Sequence, residues 1–232
     1  MDEPLMMRDL YLSIFLLACC SLVLSGCSSG PQNTQNTLQT TSSIERSQQL
    51  KNIHQWQITG KIAFIKSNNR NSASLNWKVN EIQQSQVLNL TSYLGINILQ
   101  LTSKQGQHKL KFKGKTYQGD DLKVLINTLT GLTLPTEALT AWIKGLSYQD
   151  TDYIRYDELD LPLTLTSFYN NDYWQISYSD YKQINHYALP SRLSIKKDNL
   201  LIKIAINTWQ VTNELDKTVP SNKKLSQHHN KT

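Results

Sequence analysis

Few side chains in this sequence stand where their types and spacing could carry out chemistry. Histidines at 54, 108, 186, 228 and 229 show no metal-ligand spacing apart from the adjacent tail pair. Two neighbouring histidines in a polar tail read as solvated side chains, so no metal is expected. No glycine-rich phosphate loop and no G-x-S-x-G elbow is present. Asp150 and Asp152 flank Thr151 in "YQDTDYIRYDE", an acidic run that reads as a solvated turn. The residues therefore predict no catalytic group, no cofactor and no enzyme. Only Cys27 has a chemical context.

That cysteine follows Leu24, Ser25 and Gly26. Upstream lies "DLYLSIFLLACCSLVLS", apolar for about the length of a signal-peptide core and its flanks. An aliphatic residue, two small residues and Cys match a bacterial lipobox. There the thiol is the nucleophile that takes a diacylglyceryl group, and a peptidase cuts just before it. Small residues let the extended backbone enter the enzyme cleft. Two other readings stay open. One is a membrane-spanning anchor, for which the run is short against the ~20 apolar residues a spanning helix needs. The other is cleavage at "LLAC", ending on Cys19, which leaves a very short apolar core. Translation from Met6 or Met7 instead of Met1 would remove Asp2 and Glu3.

Loss of residues 1–26 as a signal peptide takes Cys19 and Cys20 with it, leaving Cys27 as the last of three cysteines. With that thiol acylated, cysteine catalysis, zinc thiolates and disulfides are excluded together. Maturation removes Arg8 but also Asp2, Glu3 and Asp9, so the net charge of +6 rises by two. A basic exported chain meets an acidic partner or a lipid surface, and nucleic acid is excluded beyond the inner membrane.

Residues 27–43 continue as a polar, small-residue stretch that reads as a flexible tether. Residues 212–232 carry no apolar pattern and read as a disordered tail. The folded domain is expected over 44–211. It opens on a helix-compatible stretch with Ile44, Leu50, Ile53 and His54 near one face. Short runs rich in β-branched and aromatic residues follow: "QITGKIAFI", "SASLNWKV", "QVLNLTSY", "INILQLTS" and "HKLKFKGKTY". Two short helices come next. One is capped by Asp120 and stopped by Gly131; the other has Thr136 as cap and an apolar stripe of Leu139, Trp142 and Ile143. Strands then resume in "PLTLTSFYN", "DYWQISYSDY", "SRLSIKK" and "LLIKIAINTW". With no βαβ alternation, the pattern predicts a mainly β, α+β fold, a curved antiparallel sheet covered by helices.

Such a sheet can pack solid or enclose one apolar cavity. Alternation places Trp77, Leu88, Leu90, Leu110, Phe112, Trp174, Ile176, Leu193 and Ile195 on apolar faces. Trp142 and Ile143 lie on a helix able to cap them. Several of these are candidates to line an acyl-binding space, the others being ordinary core. Between "QVLNL" and "INILQL", Tyr93, Leu94 and Gly95 form a hairpin tip, an unusual place for a tyrosine and a leucine.

The motifs "GKIAF", "SLNWK", "YLGINILQL", "GKTYQGDD", "LTGLTLPTEALTAWIKGL", "WQISYSDY", "LPSRLSI" and "IKIAINTW", in that order, resemble the LolB family of outer-membrane lipoprotein receptors. The likeness spans essentially all of 44–211 and is most specific from Leu129 to Leu146. The family's usual Pro-Leu-Gly is here Tyr93-Leu94-Gly95, a departure at the first position. The resemblance implies an unclosed antiparallel barrel with a helical lid over an apolar cavity. It implies a monomer that accepts acylated lipoproteins from the periplasmic carrier LolA and inserts them, without ATP, into the inner leaflet of the outer membrane. Leu94 matches the protruding loop leucine needed for that insertion. Ser28, not Asp, follows Cys27, which predicts sorting of the lipid-anchored chain to the outer membrane, facing the periplasm. The alternative is a tethered assembly-scaffold lipoprotein with a solid core.

Overall fold

The computed structural model describes residues 41–67 and 69–212 together with Leu38. Cys27, Ser28, the expected signal segment 1–26, most of the expected tether and residues 213–232 of the expected tail lie outside the described residues. Helix α1 (Ser43–Lys51) leads into β1 (Gln55–Lys66), β2 (Asn69–Asn80), β3 (Ser85–Thr91), β4 (Asn97–Lys104), β5 (Gln107–Phe112) and β6 (Lys115–Gly119). Then come α2 (Leu122–Thr130) and α3 (Leu139–Trp142). Strands β7 (Tyr153–Tyr156), β8 (Pro162–Tyr169), β9 (Asp172–Ile184), β10 (Tyr187–Lys197) and β11 (Leu200–Thr212) complete the order.

All strands join one antiparallel sheet in the order β6-β5-β4-β3-β2-β1-β11-β10-β9-β8-β7. Neighbours are sequential hairpins except at β1 and β11. Since β6 and β7 do not pair, the barrel is unclosed, as the family resemblance implies, and the segment joining these two edges carries α2 and α3.

Period-two alternation gives the sheet a dry and a wet face. On β2, Leu75, Trp77 and Val79 are buried while Ser74, Asn76 and Lys78 are exposed. Apolar residues meet in cross-strand rows: Ile58 lies between Trp77 and Trp209, and Ile62 opposite Ile204, which faces Leu193. Trp56 sits edge-on to Trp77, ring centroids 5.0 Å apart, and is tilted against Trp209. This core is drawn from Leu50 to Trp209, so residues 41–212 carry a complete core of their own.

Five local expectations are corrected. "HKLKFKGKTY" is two strands, because Lys113 and Gly114 both take positive φ and fold a two-residue turn between them. Part of the acidic run is not a turn but edge strand β7, paired with β8. The cap of α2 is Asp121, one residue later than Asp120, accepting from the Val124 amide at 2.9 Å. Thr136 caps nothing: α3 starts after Ala138 with no side-chain cap. On α1 the inward residues are Leu50 and Arg46, whereas Ile44 is exposed.

The β1–β11 seam depends on a close approach at Gly60, beside a register shift that bulges Asn207 out of β11. A Cβ at Gly60 would run into the Ala205 carbonyl and the Ile206 backbone across the seam. Gly60→Ala is therefore expected to lower stability by about 3 kcal/mol in urea unfolding, at the upper end of overpacking costs. Gly106→Ala, with open space at its Cβ but a positive φ, should cost about 1 kcal/mol. Equal effects would contradict the tight seam.

Candidate functional site

Between the dry face of the sheet and the connection from β6 to β7 lies an apolar cavity of about 80 Å³. Its floor includes Phe64, Trp77, Leu88, Leu90, Ile195 and Ile202. Leu122 and Ile126 of α2, with Leu134, Thr136 and Leu139, form the roof. Two polar side chains reach this space. Gln86 accepts the Trp77 indole N–H through Oε1 at 3.0 Å, and the Thr136 hydroxyl is buried without a partner. For scale, a dry void of about 150 Å³ holds one benzene. As it stands, the cavity is too small for an acyl chain.

The roof is held unevenly. Its C-terminal end is pinned by buried polar groups. Arg46 donates from Nε to the Ala188 carbonyl at 3.1 Å and from Nη2 to the Lys144 carbonyl at 2.9 Å. Nη1 reaches the Gly145 carbonyl at 3.4 Å. Gly145 holds a positive φ directly beneath this guanidinium. Burial lowers the Arg46 pKa, and the phenols of Tyr181, Tyr178 and Tyr156 oppose that shift. Lys144, itself buried, donates from Nζ to the Ile53 carbonyl and to Glu81 Oε1, each at 3.1 Å. The Tyr178 hydroxyl donates to the Trp142 carbonyl at 2.9 Å, and burial pushes its pKa well up, keeping it neutral. Over the cavity itself the roof is fixed mainly by apolar packing. There the Tyr169 hydroxyl of β8 donates to Glu137 at 2.5 Å, while the Asn127–Thr133 bond at 3.1 Å links two parts of the roof itself.

The β3–β4 tip is the most exposed apolar feature. Gly95, at φ 76°, donates to the Ser92 carbonyl at 3.0 Å, and the Ser92 amide donates to the Ile96 carbonyl at 2.8 Å. This turn leaves Tyr93 99 %, Leu94 78 % and Ile96 64 % exposed. Leu94 does not fold back onto the core.

The family model described as "Outer membrane lipoprotein LolB" matches residues 54–209. Outer-membrane lipoprotein LolB of Aeromonas hydrophila is 34% identical over 205 residues, covering 88% of this chain and 98% of that protein. The chain belongs to the LolB family. LolB of Aeromonas salmonicida is 35% identical over 202 residues, covering 86% of this chain and 97% of its own. LolB of Pseudoalteromonas translucida is 32% identical over 197 residues, covering 84% and 93%.

The LolB-like tract from Leu129 to Leu146 is the roof and its pinned end. Of the acyl-cavity candidates, Trp77, Leu88, Leu90 and Ile195 line the cavity. Leu110, Phe112, Trp174, Ile176 and Leu193 do not; they pack in the core around it. Trp142 and Ile143 also leave the cavity: α3 turns Trp142 beside Trp174 and Tyr169 and offers Leu139 to the roof, while Ile143, just past α3, is buried in the core. The sequence reading missed Leu122, Ile126 and Leu134. The apolar face of α2 was the available signal. It also missed Arg46, since a cation on a short helix reads as solvent-facing.

Glu81→Ala should destabilise the domain by about 2 kcal/mol, because it leaves Lys144 buried without its charge partner. Adding Lys144→Met should recover most of that loss in thermal unfolding. A Glu81→Ala protein as stable as the parent would contradict the pinning.

Proposed function

We propose that this LolB-family chain, anchored to the outer membrane through acylated Cys27, accepts acylated lipoproteins from the periplasmic carrier LolA. It then delivers them to the inner leaflet without ATP and without catalysis. The observation that carries this reading is an apolar cavity under a roof pinned at one end, on a sheet that also bears an exposed aliphatic tip. Membership of the LolB family supports it. Among the described residues no helix is long and apolar enough to cross a membrane.

Mechanistically, incoming acyl chains take over the apolar contacts that Leu122, Ile126, Leu134 and Leu139 make in the closed state. Each buried methylene contributes ~0.8 kcal/mol, so chains exchanged between two apolar cavities run toward the one that buries slightly more. The pinned end by Arg46 and Lys144 keeps the roof attached while its free part lifts. Leu94 enters the bilayer surface, and Tyr93, amphipathic, rests at the headgroup boundary beside it. A solid-cored scaffold is the competing reading, favoured by how little space the closed cavity holds.

Leu94→Glu is expected to accept acylated cargo from the carrier as the parent does and to lose delivery to liposomes. A carboxylate resists entering lipid, while the cavity is untouched. Normal delivery, or loss of acceptance as well, would show that the tip does not act in insertion.

A further inference from the structure

The wet face of the sheet holds a second recess, separated from the apolar cavity by the sheet itself. It is a groove of about 710 Å³ across β2, β1, β11, β10 and β9. Its floor follows from the register. One cross-strand row runs Ser74, Lys61, Ala205, Arg192, Ser179, and the next runs Ser72, Ala63, Lys203, Ser194, Ser177. Serine and alanine keep the floor low, and cations stand out of it on neighbouring strands. Neither row holds an acid. Asp180 beside them is taken by Arg192 at 2.9 Å. Among the described residues no carboxylate pairs with Lys61, Arg70 or Lys203.

The groove lies against the tip. Thr91 pairs with Ser74, so the chain leaves the sheet for Tyr93 and Leu94 at the end of the first row, and Tyr93 forms part of the groove wall. Beyond the other side, Phe168 and Tyr173 pair across the β8–β9 hairpin, both more than half exposed. Lys196 pairs with Gln175, and Lys66 with Leu200. That register sets the β8–β9 hairpin at the same end of the sheet as the β1–β2 and β10–β11 hairpins.

Unpaired cations between two exposed aromatic margins have the chemistry of a bilayer surface. Cations meet phosphates, and tyrosines rest at headgroup depth. An acidic polypeptide would satisfy the cations but would leave the aromatic margins wet. We propose that this groove seats anionic phospholipid headgroups and holds the outer face of the sheet on the membrane that the tip enters. The proposal rests on the insertion reading of Leu94 and deepens it: the tip supplies apolar depth, and the groove supplies orientation and preference for anionic lipid.

The test is co-sedimentation of residues 41–212 with vesicles of phosphatidylcholine alone or mixed with phosphatidylglycerol. The parent should bind the mixed vesicles more tightly, and salt should remove that increment. Lys61→Gln with Lys203→Gln, both on the wet face, should cut affinity for mixed vesicles roughly 25-fold and leave binding to phosphatidylcholine unchanged. Leu94→Glu should lose binding to both. Soluble glycerophosphate should not compete, since one headgroup without a bilayer meets only part of the surface. If the double variant keeps the full anionic increment, the groove is not a headgroup site, whatever Leu94→Glu does. If Leu94→Glu alone binds normally, the tip reading fails while the increment still decides the groove. Loss of acceptance from the carrier with unchanged vesicle binding would assign the groove to a protein and overturn the proposal.

Discussion

The pairing of β1 with β11, from Gln55–Thr212 to Lys66–Leu200, sets the first and last strands side by side in the middle of the sheet. Its free edges are then β6 and β7, consecutive in the chain, so the segment between them must cross from one edge to the other. That crossing lies over the dry face and becomes the roof. The seam is close because Gly60 has no side chain, and on its wet side it places Lys61 opposite Ala205 and Ala63 opposite Lys203. Cavity, roof and basic groove thus share one origin in a single strand pair.

The roof illustrates how a chain can combine attachment with release. Buried cations are costly unless fully bonded, and Arg46 and Lys144 meet that condition only while Lys144, Gly145, Ala188, Ile53 and Glu81 stay in place. Over the cavity, by contrast, the contacts are chiefly dispersion and apolar burial, which an acyl chain can replace one for one. In the proposed transfer, motion is confined to the part whose contacts cargo can reproduce. The unpartnered Thr136 hydroxyl lies in that part, a polar group whose hydrogen bond is left unmade in the closed form.

Much of this was legible in the sequence because antiparallel strands with one wet face must alternate. Ala73, Leu75, Trp77 and Val79 announce β2, and a leucine beside glycine between two strands announces the tip. The break between β5 and β6 was hidden because Lys113 and Gly114 continue the alternation of their neighbours. Strand β7 was hidden by the acids on either side of Tyr153–Tyr156. Alternation also tells which residues face inward without telling which stand under the roof. Leu110 and Leu88 share that face, yet only Leu88 reaches the cavity, because the placement of α2 decides it. Arg46 was beyond reach for a different reason: its acceptors lie about a hundred or more residues away in the chain, and only the folded register brings them together.

In the proposed transfer the closed cavity opens to take acyl chains. The most direct measurement of that opening is tryptophan emission on titration with an acylated peptide, in the parent and in Trp77→Phe, with the unacylated peptide as control. Trp77 lines the cavity floor, whereas Trp142 and Trp174 lie buried in the core away from it. A saturable change is expected with the acylated peptide, absent without the acyl chain and largely lost in Trp77→Phe. No change, or a change undiminished in Trp77→Phe, would mean that this space does not receive the chain.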